Sequence, residues 1–291
     1  MFVELKGRRI FFDVDGEKLA PDGPVLREKP TLIAIHGAPG ISDHAAMKPW
    51  FKDLRDHMQV IYLDLPGAGR SDGLPDPSDY SLEHWADDVA DFSRALGIEK
   101  PFVLGISGGG FVAQAYAIKY SDATSGVVFA GTQAKMNTER SIAVFKRLGG
   151  APAEEAARAL LTTDLTPDAV QAFNQHCMPL YSQTPQDPNA AARMIYREEL
   201  ARAFHQPDTG IWYTMDLLTD LARVTCPVLV LAGEEDPITP IEDSEDIVAA
   251  LTSADVQFAR MAGCGHATWR DKQQESFGII KEFVARNWTS A

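Results

Sequence analysis

The chain has 291 residues, of which 45% are hydrophobic and 23% charged, the composition of a globular protein that can bury a sizeable core. Its 41 acidic residues outnumber 27 Lys and Arg, and the net charge of −14 argues against nucleic acid as a partner, because a polyanion would be repelled. The three cysteines argue against a disulfide framework, and neither a signal-like start nor an apolar run of the ~20 residues that span a membrane is visible, so we expect a cytoplasmic protein.

Short apolar runs alternate with helical patterns along most of the chain, which predicts a mostly parallel sheet with helices on its faces. Phe2–Leu5 and Arg9–Val14 are expected to form a hairpin. Helices are expected over Ser81–Leu96, where Gly97 follows as a stop, and over Gly108–Lys119. The buried strands expected after the hairpin are Thr31–His36, Val60–Asp64, Phe102–Ile106, Val127–Ala130, Val228–Ala232 and Val256–Met261.

Residues 132–222 interrupt this alternation. They carry helical patterns without a convincing buried strand, and proline-rich joints divide them. Because long unstructured loops are rare in compact domains, we expect a helical cap here. The cap divides a sheet-based core into residues 1–131 and 223–291.

A motif typical of a catalytic serine lies between a buried strand and a helix. Gly105-Ile106-Ser107-Gly108-Gly109 fits G-x-S-x-G, in which a tight turn raises the serine hydroxyl above the sheet. One alternative is a plain glycine-rich turn.

Another alternative is a dinucleotide loop, since the run 108–113 fits G-x-G-x-x-A. The next strand does not end in the acidic residue that such a loop requires, so no cofactor is expected and Ser107 is the predicted nucleophile.

Two later strands end in residues that suit the rest of a serine hydrolase site. Gly233-Glu234-Glu235-Asp236-Pro237 follows one strand, and His266 follows the next in a glycine-rich turn. The carboxyl ends of parallel strands share one edge of a sheet, so we expect Ser107, Asp236 and His266 to converge there. The imidazole would take the serine's proton, and the carboxylate would orient the imidazole. Glu234 and Glu235 are competitors for the acid, and Asp236 is preferred because it directly precedes the proline.

The loop after the first buried strand, His36-Gly37-Ala38-Pro39-Gly40, can bring a backbone N–H close to the serine. We assign the oxyanion hole to the N–H groups of Ala38 and Gly108, and expect His36 to be structural. No metal ligands recur at a recognisable spacing, and none is predicted.

Together these residues resemble the α/β-hydrolase superfamily over nearly the whole chain, most closely the proline iminopeptidase group. That group carries a His-Gly-Gly-Pro-Gly loop, a helical cap and the same order of serine, acid and histidine. The stretch Asp64-Leu65-Pro66-Gly67-Ala68-Gly69-Arg70-Ser71 resembles its Gly-x-Gly-x-Ser turn. The chain departs from the group at Gly108, where a tryptophan is usual, and at Ala38, the second loop glycine. Its Asp-Leu-Pro-Gly is closer to esterases, lactonases and carbon–carbon bond hydrolases.

The resemblance implies a hydrolase of small acyl compounds, with an aminopeptidase or amidase as the first expectation. Such aminopeptidases hold the substrate amine with acidic cap residues, for which Glu198 and Glu199 are the candidates. Either can equally be a solvated charge on a helix face. An esterase, a lactonase, a carbon–carbon bond hydrolase and a non-catalytic ligand-binding protein are alternatives, and the oligomeric state is left open.

Overall fold

The computed structural model describes residues 1–162 and 166–289. Eight strands form one sheet, in the order β1-β2-β6-β5-β7-β8-β9-β10, and β3 and β4 form a separate hairpin. The strands are β1 Phe2–Leu5, β2 Arg8–Asp15, β3 Leu19–Asp22, β4 Val25–Glu28, β5 Thr31–Ile35, β6 Gln59–Leu63, β7 Phe102–Ile106, β8 Gly126–Ala130, β9 Val228–Gly233 and β10 Val256–Met261. The pairs β1–β2 and β2–β6 are antiparallel, and the pairs from β6 to β10 are parallel.

Helices follow most of the strands and cover both faces of the sheet. They are α1 His44–Phe51, α2 Leu82–Ala95, α3 Gly108–Tyr120, α4 Thr138–Thr162, α5 Pro167–His176, α6 Ala190–Arg193, α7 Glu198–His205, α8 Ile211–Thr214, α9 Ile241–Ala250, α10 Thr268–Asp271 and α11 Gln273–Asn287. Among the helices of residues 1–162 and 166–289, none has the length and apolar character to cross a membrane. The predicted mostly parallel sheet with helices on its faces is confirmed.

Alternation of side chains along the central strands divides the core into two layers. In β5, Ile33 and Ile35 pack with Trp85 and Phe92 of α2 on one face. Leu32 and Ala34 pack on the other face, where Phe51 of α1 and Phe283 of α11 also lie. Every residue of β5, β7, β8 and β9 is buried, which explains why these strands read as continuous apolar runs.

Helices α4 to α8 lie between β8 and β9. Helix α4 is broken at Gly150, which has φ 71°, and a separate apolar cluster links α4 and α5 through Phe145 and Phe173. The division into core and cap at residues 132 and 222 stays a prediction. Residues 163–165 of the expected cap and 290–291 of the second core segment lie outside the described residues.

Candidate active site

The residues predicted to act together lie beyond the carboxyl ends of neighbouring strands. Ser107 directly follows β7, Asp236 follows β9 and His266 follows β10. Strand β8 lies between β7 and β9, and the residues at its end contact both sides. Thr132 donates its hydroxyl to Ser107 O at 2.8 Å, and Gly131 packs against the His266 ring. This is the edge at which ligands bind in open α/β sheets.

Ser107 occupies a strained turn between β7 and α3. Its φ of 50° and ψ of −123° lie in a region that residues other than glycine rarely adopt. Its N–H donates to Ala130 O at 3.0 Å, and its carbonyl accepts from Gly110 N at 2.8 Å. Because several neighbouring groups hold the backbone in this conformation, the turn keeps its shape and the side chain projects from the sheet edge.

Glycines around the turn let the strand and the helix come close together. A Cβ on Gly105 would lie 2.2 Å from Gly109 O, and one on Gly109 would lie 2.4 Å from His36 O. Both neighbours are backbone atoms, which cannot rotate away. The spacing of the G-x-S-x-G motif is therefore a steric requirement of this turn.

Asp236 and His266 form a hydrogen-bonded pair that is almost fully buried. Asp236 Oδ2 lies 2.7 Å from His266 Nδ1, and it also accepts from the Thr239 hydroxyl at 2.7 Å. Asp236 Oδ1 accepts from the N–H groups of Ile238 and Thr239. An ionised carboxylate can only accept, so His266 Nδ1 carries the proton and Nε2 keeps a free lone pair. This is the tautomer that a general base requires.

The competing acids are paired elsewhere. Glu235 forms an ion pair with Arg147, and Glu234 lies 3.5 Å from Arg260. Asp236 is therefore the acid that holds His266 Nδ1. Sequence reasoning missed Thr239, although a polar side chain at i+3 from an aspartate that bonds the following N–H groups is a known local pattern.

The backbones of the two residues assigned to the oxyanion hole, Ala38 and Gly108, lie close together. Ala38 has φ 41°, and a Cβ on Gly108 would lie 3.2 Å from Ala38 N. Gly108 is the first residue of α3, where N–H groups have no partner within the helix. The positive end of the α3 dipole therefore lies beside Ser107, and the assignment of the Ala38 and Gly108 N–H groups to an oxyanion hole stays a prediction.

Helix α7 covers this pair of donors. Arg197, just before the helix, donates its N–H to Gly40 O at 2.7 Å and its guanidinium to Gly69 O. A Cβ on Gly40 would lie 2.3 Å from Ala201 N, so helix and loop are in tight contact. At its other end Phe204 packs over Gly108. Sequence reasoning missed this contact because the two segments are far apart along the chain.

His36 has the structural role that the sequence suggested. It is fully buried, and its Nε2 accepts from Leu65 N at 3.4 Å. Its Nδ1 lies 3.0 Å from Gly37 O. The imidazole thus links the ends of β5 and β6 beneath the Ala38 loop.

Glu198 and Glu199 lie on the exposed side of α7. Glu198 is 66% exposed and forms an i,i+4 ion pair with Arg202 at 3.0 Å. Glu199 is exposed and lines a surface groove with Tyr80 and Ile211. The buried side of the same helix carries Leu200, Ala201 and Phe204. The structure pairs Asp236 with His266 and places Ser107 beyond the end of a nearby strand of the same sheet, whereas it places the two glutamates towards solvent.

One cluster has the composition of a metal site. Asp43, His44 and Asp64 offer three ligand atoms within 4.8 Å of one another. Asp43 accepts from Ala45 N and Ile195 N, while Asp64 accepts from the N–H groups of His44 and Arg70. These bonds account for the position of both carboxylates: Asp43 ties the segment before α1 to Ile195, and Asp64 ties the end of β6 to His44 and Arg70.

The imidazole of His44 has a perturbed pKa. Burial lowers this pKa, but the hydrogen bond and the charge of Asp64 raise it by more, so it lies above its usual value. Burial raises the pKa of Asp64, and His44, His36 and the Arg70 N–H together lower it by more, so this pKa lies below its usual value. Each group therefore stabilises the charged form of the other.

Comparisons with known proteins show the family and the fold. The family model described as the alpha/beta hydrolase fold matches residues 30–269. The proline iminopeptidase PfmaB of Pestalotiopsis fici is 28% identical over 269 residues, which cover 88% of this chain and 89% of that protein. The structure of the proline iminopeptidase of Mycobacterium smegmatis has a TM-score of 0.81 at 23% identity, over 99% of this chain and 98% of its own. The enol-lactonase of Burkholderia xenovorans has a TM-score of 0.68 at 18% identity, over 98% of this chain and all (100%) of its own.

Proposed function

Since this chain belongs to the alpha/beta hydrolase fold family, we propose that it is a serine hydrolase in which Ser107 forms an acyl-enzyme with a small substrate. The observation that carries the proposal is the 2.7 Å contact of Asp236 with His266 Nδ1, which leaves Nε2 free to accept a proton. The strained turn of Ser107 supports it, because such turns present a nucleophile above the sheet in this family.

The reaction has two halves. In the first, His266 Nε2 takes the hydroxyl proton while Ser107 Oγ attacks the acyl carbon, and the N–H groups of Ala38 and Gly108 stabilise the oxyanion. His266 then gives that proton to the leaving group, and the acyl group stays on Ser107. In the second half a water loses a proton to His266, attacks the ester and releases the acid. The proton returns to Ser107 Oγ, so the enzyme is regenerated without a cofactor.

A pair of serine variants tests the nucleophile. Ser107→Ala should abolish turnover and the mass increase that a fluorophosphonate produces on the protein, while the melting temperature stays near that of the wild type. Ser125→Ala is the matched control, since Ser125 N donates to Pro101 O at the opposite edge of the sheet. If Ser107→Ala still turns over substrate at the wild-type rate, Ser107 is not the nucleophile.

Two substrate classes are supported by different observations. Aminoacyl amides, including prolyl amides, are the first candidate because curated relatives across 88% of the chain are proline iminopeptidases. Neutral esters, lactones and substrates of carbon–carbon bond hydrolysis are the second, because Glu198 is paired with Arg202 and Glu199 is exposed. The two glutamates predicted to hold a substrate amine therefore face solvent.

A kinetic panel separates the two classes. The wild-type protein is given prolyl and alanyl amides beside short-chain esters and lactones, and kcat/KM is measured for each. A kcat/KM at least tenfold higher for the amides supports the aminopeptidase. A preference for uncharged esters or lactones supports the second class.

A further inference from the structure

Asp271 lies at the end of α10, just beyond His266, and its carboxylate turns back to the histidine loop. Its Oδ2 accepts the N–H of Gly265 at 2.8 Å, directly before the histidine. Its Oδ1 accepts the N–H of Thr184 at 2.9 Å and the hydroxyl of Ser182. One carboxylate therefore joins the loop of the general base to a segment of the predicted cap.

The same cap segment contacts the histidine itself. His266 donates its N–H to Tyr181 O at 2.6 Å. The ring of Tyr181 meets the imidazole edge to face, with centroids 5.5 Å apart and planes at 76°. A Cβ on Gly265 would lie 2.3 Å from Tyr181 O, so a side chain there would push the two segments apart. The cap segment thus fixes both the backbone and the ring of His266.

Further bonds extend this contact beyond Asp271. Thr184 donates its hydroxyl to Arg270 O at 3.0 Å, and the Arg270 guanidinium donates to the carbonyls of Thr184 and Pro185. Hydrogen bonds therefore join the segment 181–185 to both ends of the segment 265–271. Asp271 differs from the other bonded residues because its carboxylate accepts bonds from both the histidine loop and the cap segment.

Asp271 is suited to this role by its charge. Burial raises its pKa, but the bonds from Ser182 and the neighbouring N–H groups lower it by more, so the pKa lies below its usual value and the carboxylate stays ionised. Bonds to an ionised acceptor are shorter and stronger than neutral ones. The loop needs such support, because Gly263, at φ +66°, and Gly265 give it little rigidity of its own.

We propose that Asp271 is a positioning residue, which holds the loop of His266 and the cap segment 181–184 together so that the imidazole stays directed at Ser107. The proposal rests on the proposed function, because it presumes that His266 is the general base. The rate at which Ser107 reacts depends on His266, so a displaced loop should lower kcat rather than weaken substrate binding.

The test uses Asp271→Asn, which keeps the shape of the side chain. The amide nitrogen of Asn would face N–H and O–H donors, so at least one bond is lost. We expect kcat to fall about tenfold to a hundredfold, since a displacement near 1 Å has effects of that size. The rate of labelling of Ser107 by a small fluorophosphonate should fall by the same factor, and KM should change less than twofold.

Two controls accompany it. Asp187→Asn removes the same charge from the surface pair with Arg193, and it should leave both rates at wild-type values. His266→Ala tests the premise, because it should abolish labelling if His266 is the base. Labelling at the wild-type rate in His266→Ala would overturn the proposed function itself.

If His266→Ala is inactive while Asp271→Asn keeps wild-type labelling, the positioning role alone is refuted. An increase in KM with unchanged labelling would refute it as well, because Asp271 would then only fasten the cap. If Asp271→Asn does not fold, Asp271→Glu keeps the charge but moves it by one methylene. Its labelling rate should still fall at unchanged KM, and a wild-type rate would overturn the proposal.

Discussion

Strand β7 and helix α3 approach closely at Gly105, and this contact predicts how much Gly105→Ala should lower stability and activity. The added Cβ would lie 2.2 Å from Gly109 O and 2.7 Å from Gly110 Cα. Carbon atoms pack best at about 3.5–4.0 Å, so the strand and the helix must separate by roughly 1 Å. Overpacking of this kind costs about 1–3 kcal/mol of folding free energy. For a domain of this size the melting temperature should fall by roughly 2–12 °C.

The same displacement should reduce catalysis, because Ser107 lies between the atoms that separate. A shift near 1 Å at a reacting group can cost about a hundredfold, so kcat/KM should fall by about that factor. Gly278→Ala is the matched control, since no atom lies within 4 Å of a Cβ at that position in α11. Alanine is favoured over glycine within a helix by up to about 1 kcal/mol, so this variant should melt at a higher temperature and keep full activity.

The assays are thermal unfolding followed by circular dichroism and kcat/KM on the best substrate of the kinetic panel. Both variants carry the same added methyl group, so a difference between them reports the local geometry alone. If Gly105→Ala has the melting temperature and kcat/KM of the wild type, the turn does not require glycine at position 105 for steric reasons.

Three further predictions follow from the pairs described above. Asp236→Asn should lower kcat by about four orders of magnitude, because His266 loses the tautomer that the carboxylate holds. Glu235→Gln should have little effect on kcat. A larger loss of kcat in Glu235→Gln than in Asp236→Asn would show that Asp236 is not the acid. If the substrate carries a free amine and Glu199 binds it, Glu199→Gln should raise KM for aminoacyl amides and spare neutral esters, because an ester has no ammonium group; equal losses or none would reject an amine anchor. The raised pKa of His44 stabilises the fold below its unfolded value of about 6.5, so unfolding free energy should fall as pH rises through the folded pKa. In His44→Gln that pH dependence should vanish, and an unchanged slope in urea titrations would exclude His44 as its source.

The sheet and the catalytic turn could be predicted because their signals are local. A strand buried on both faces must be apolar throughout, so β7 and β9 are visible in the sequence alone. The elbow motif is equally local, since its glycines are required by contacts within the turn and its two flanking elements. Convergence of Asp236 and His266 followed from strand direction and needed no knowledge of contacts.

The hairpin β3–β4 could not be predicted in the same way. Its residues are mostly exposed, with Leu19, Val25 and Leu26 all more than half exposed, so burial imposes no alternation on them. The two residues between the paired positions Asp22 and Val25 are Gly23 and Pro24, and a glycine at the first of two loop positions was the available signal, because it favours a tight hairpin. The exposed position of Glu198 could also have been predicted from the sequence, since Arg202 follows it at i,i+4, a spacing typical of ion pairs on a helix surface.

The support of the site depends on contacts between distant parts of the chain, and these have no periodic signal. Arg197 meets Gly69, and Asp271 meets Ser182 and Thr184, yet each is an ordinary polar residue in its own surroundings. Such pairs become visible only when the fold brings them together. This explains why the sequence could suggest candidate reacting groups but not the contacts that hold them.

These contacts bear on how the cap and the catalytic groups depend on one another. Helix α7 packs against the loop of Ala38 and over Gly108, while residues 181–184 hold the loop of His266. The loops of the proposed oxyanion donors and of the proposed general base thus each contact a different part of the segment between β8 and β9. A cap that only filtered substrates could be altered with an effect on KM alone. In this chain the segments that would cover the substrate also contact the loops of the proposed reacting groups, so changes at these contacts should lower kcat.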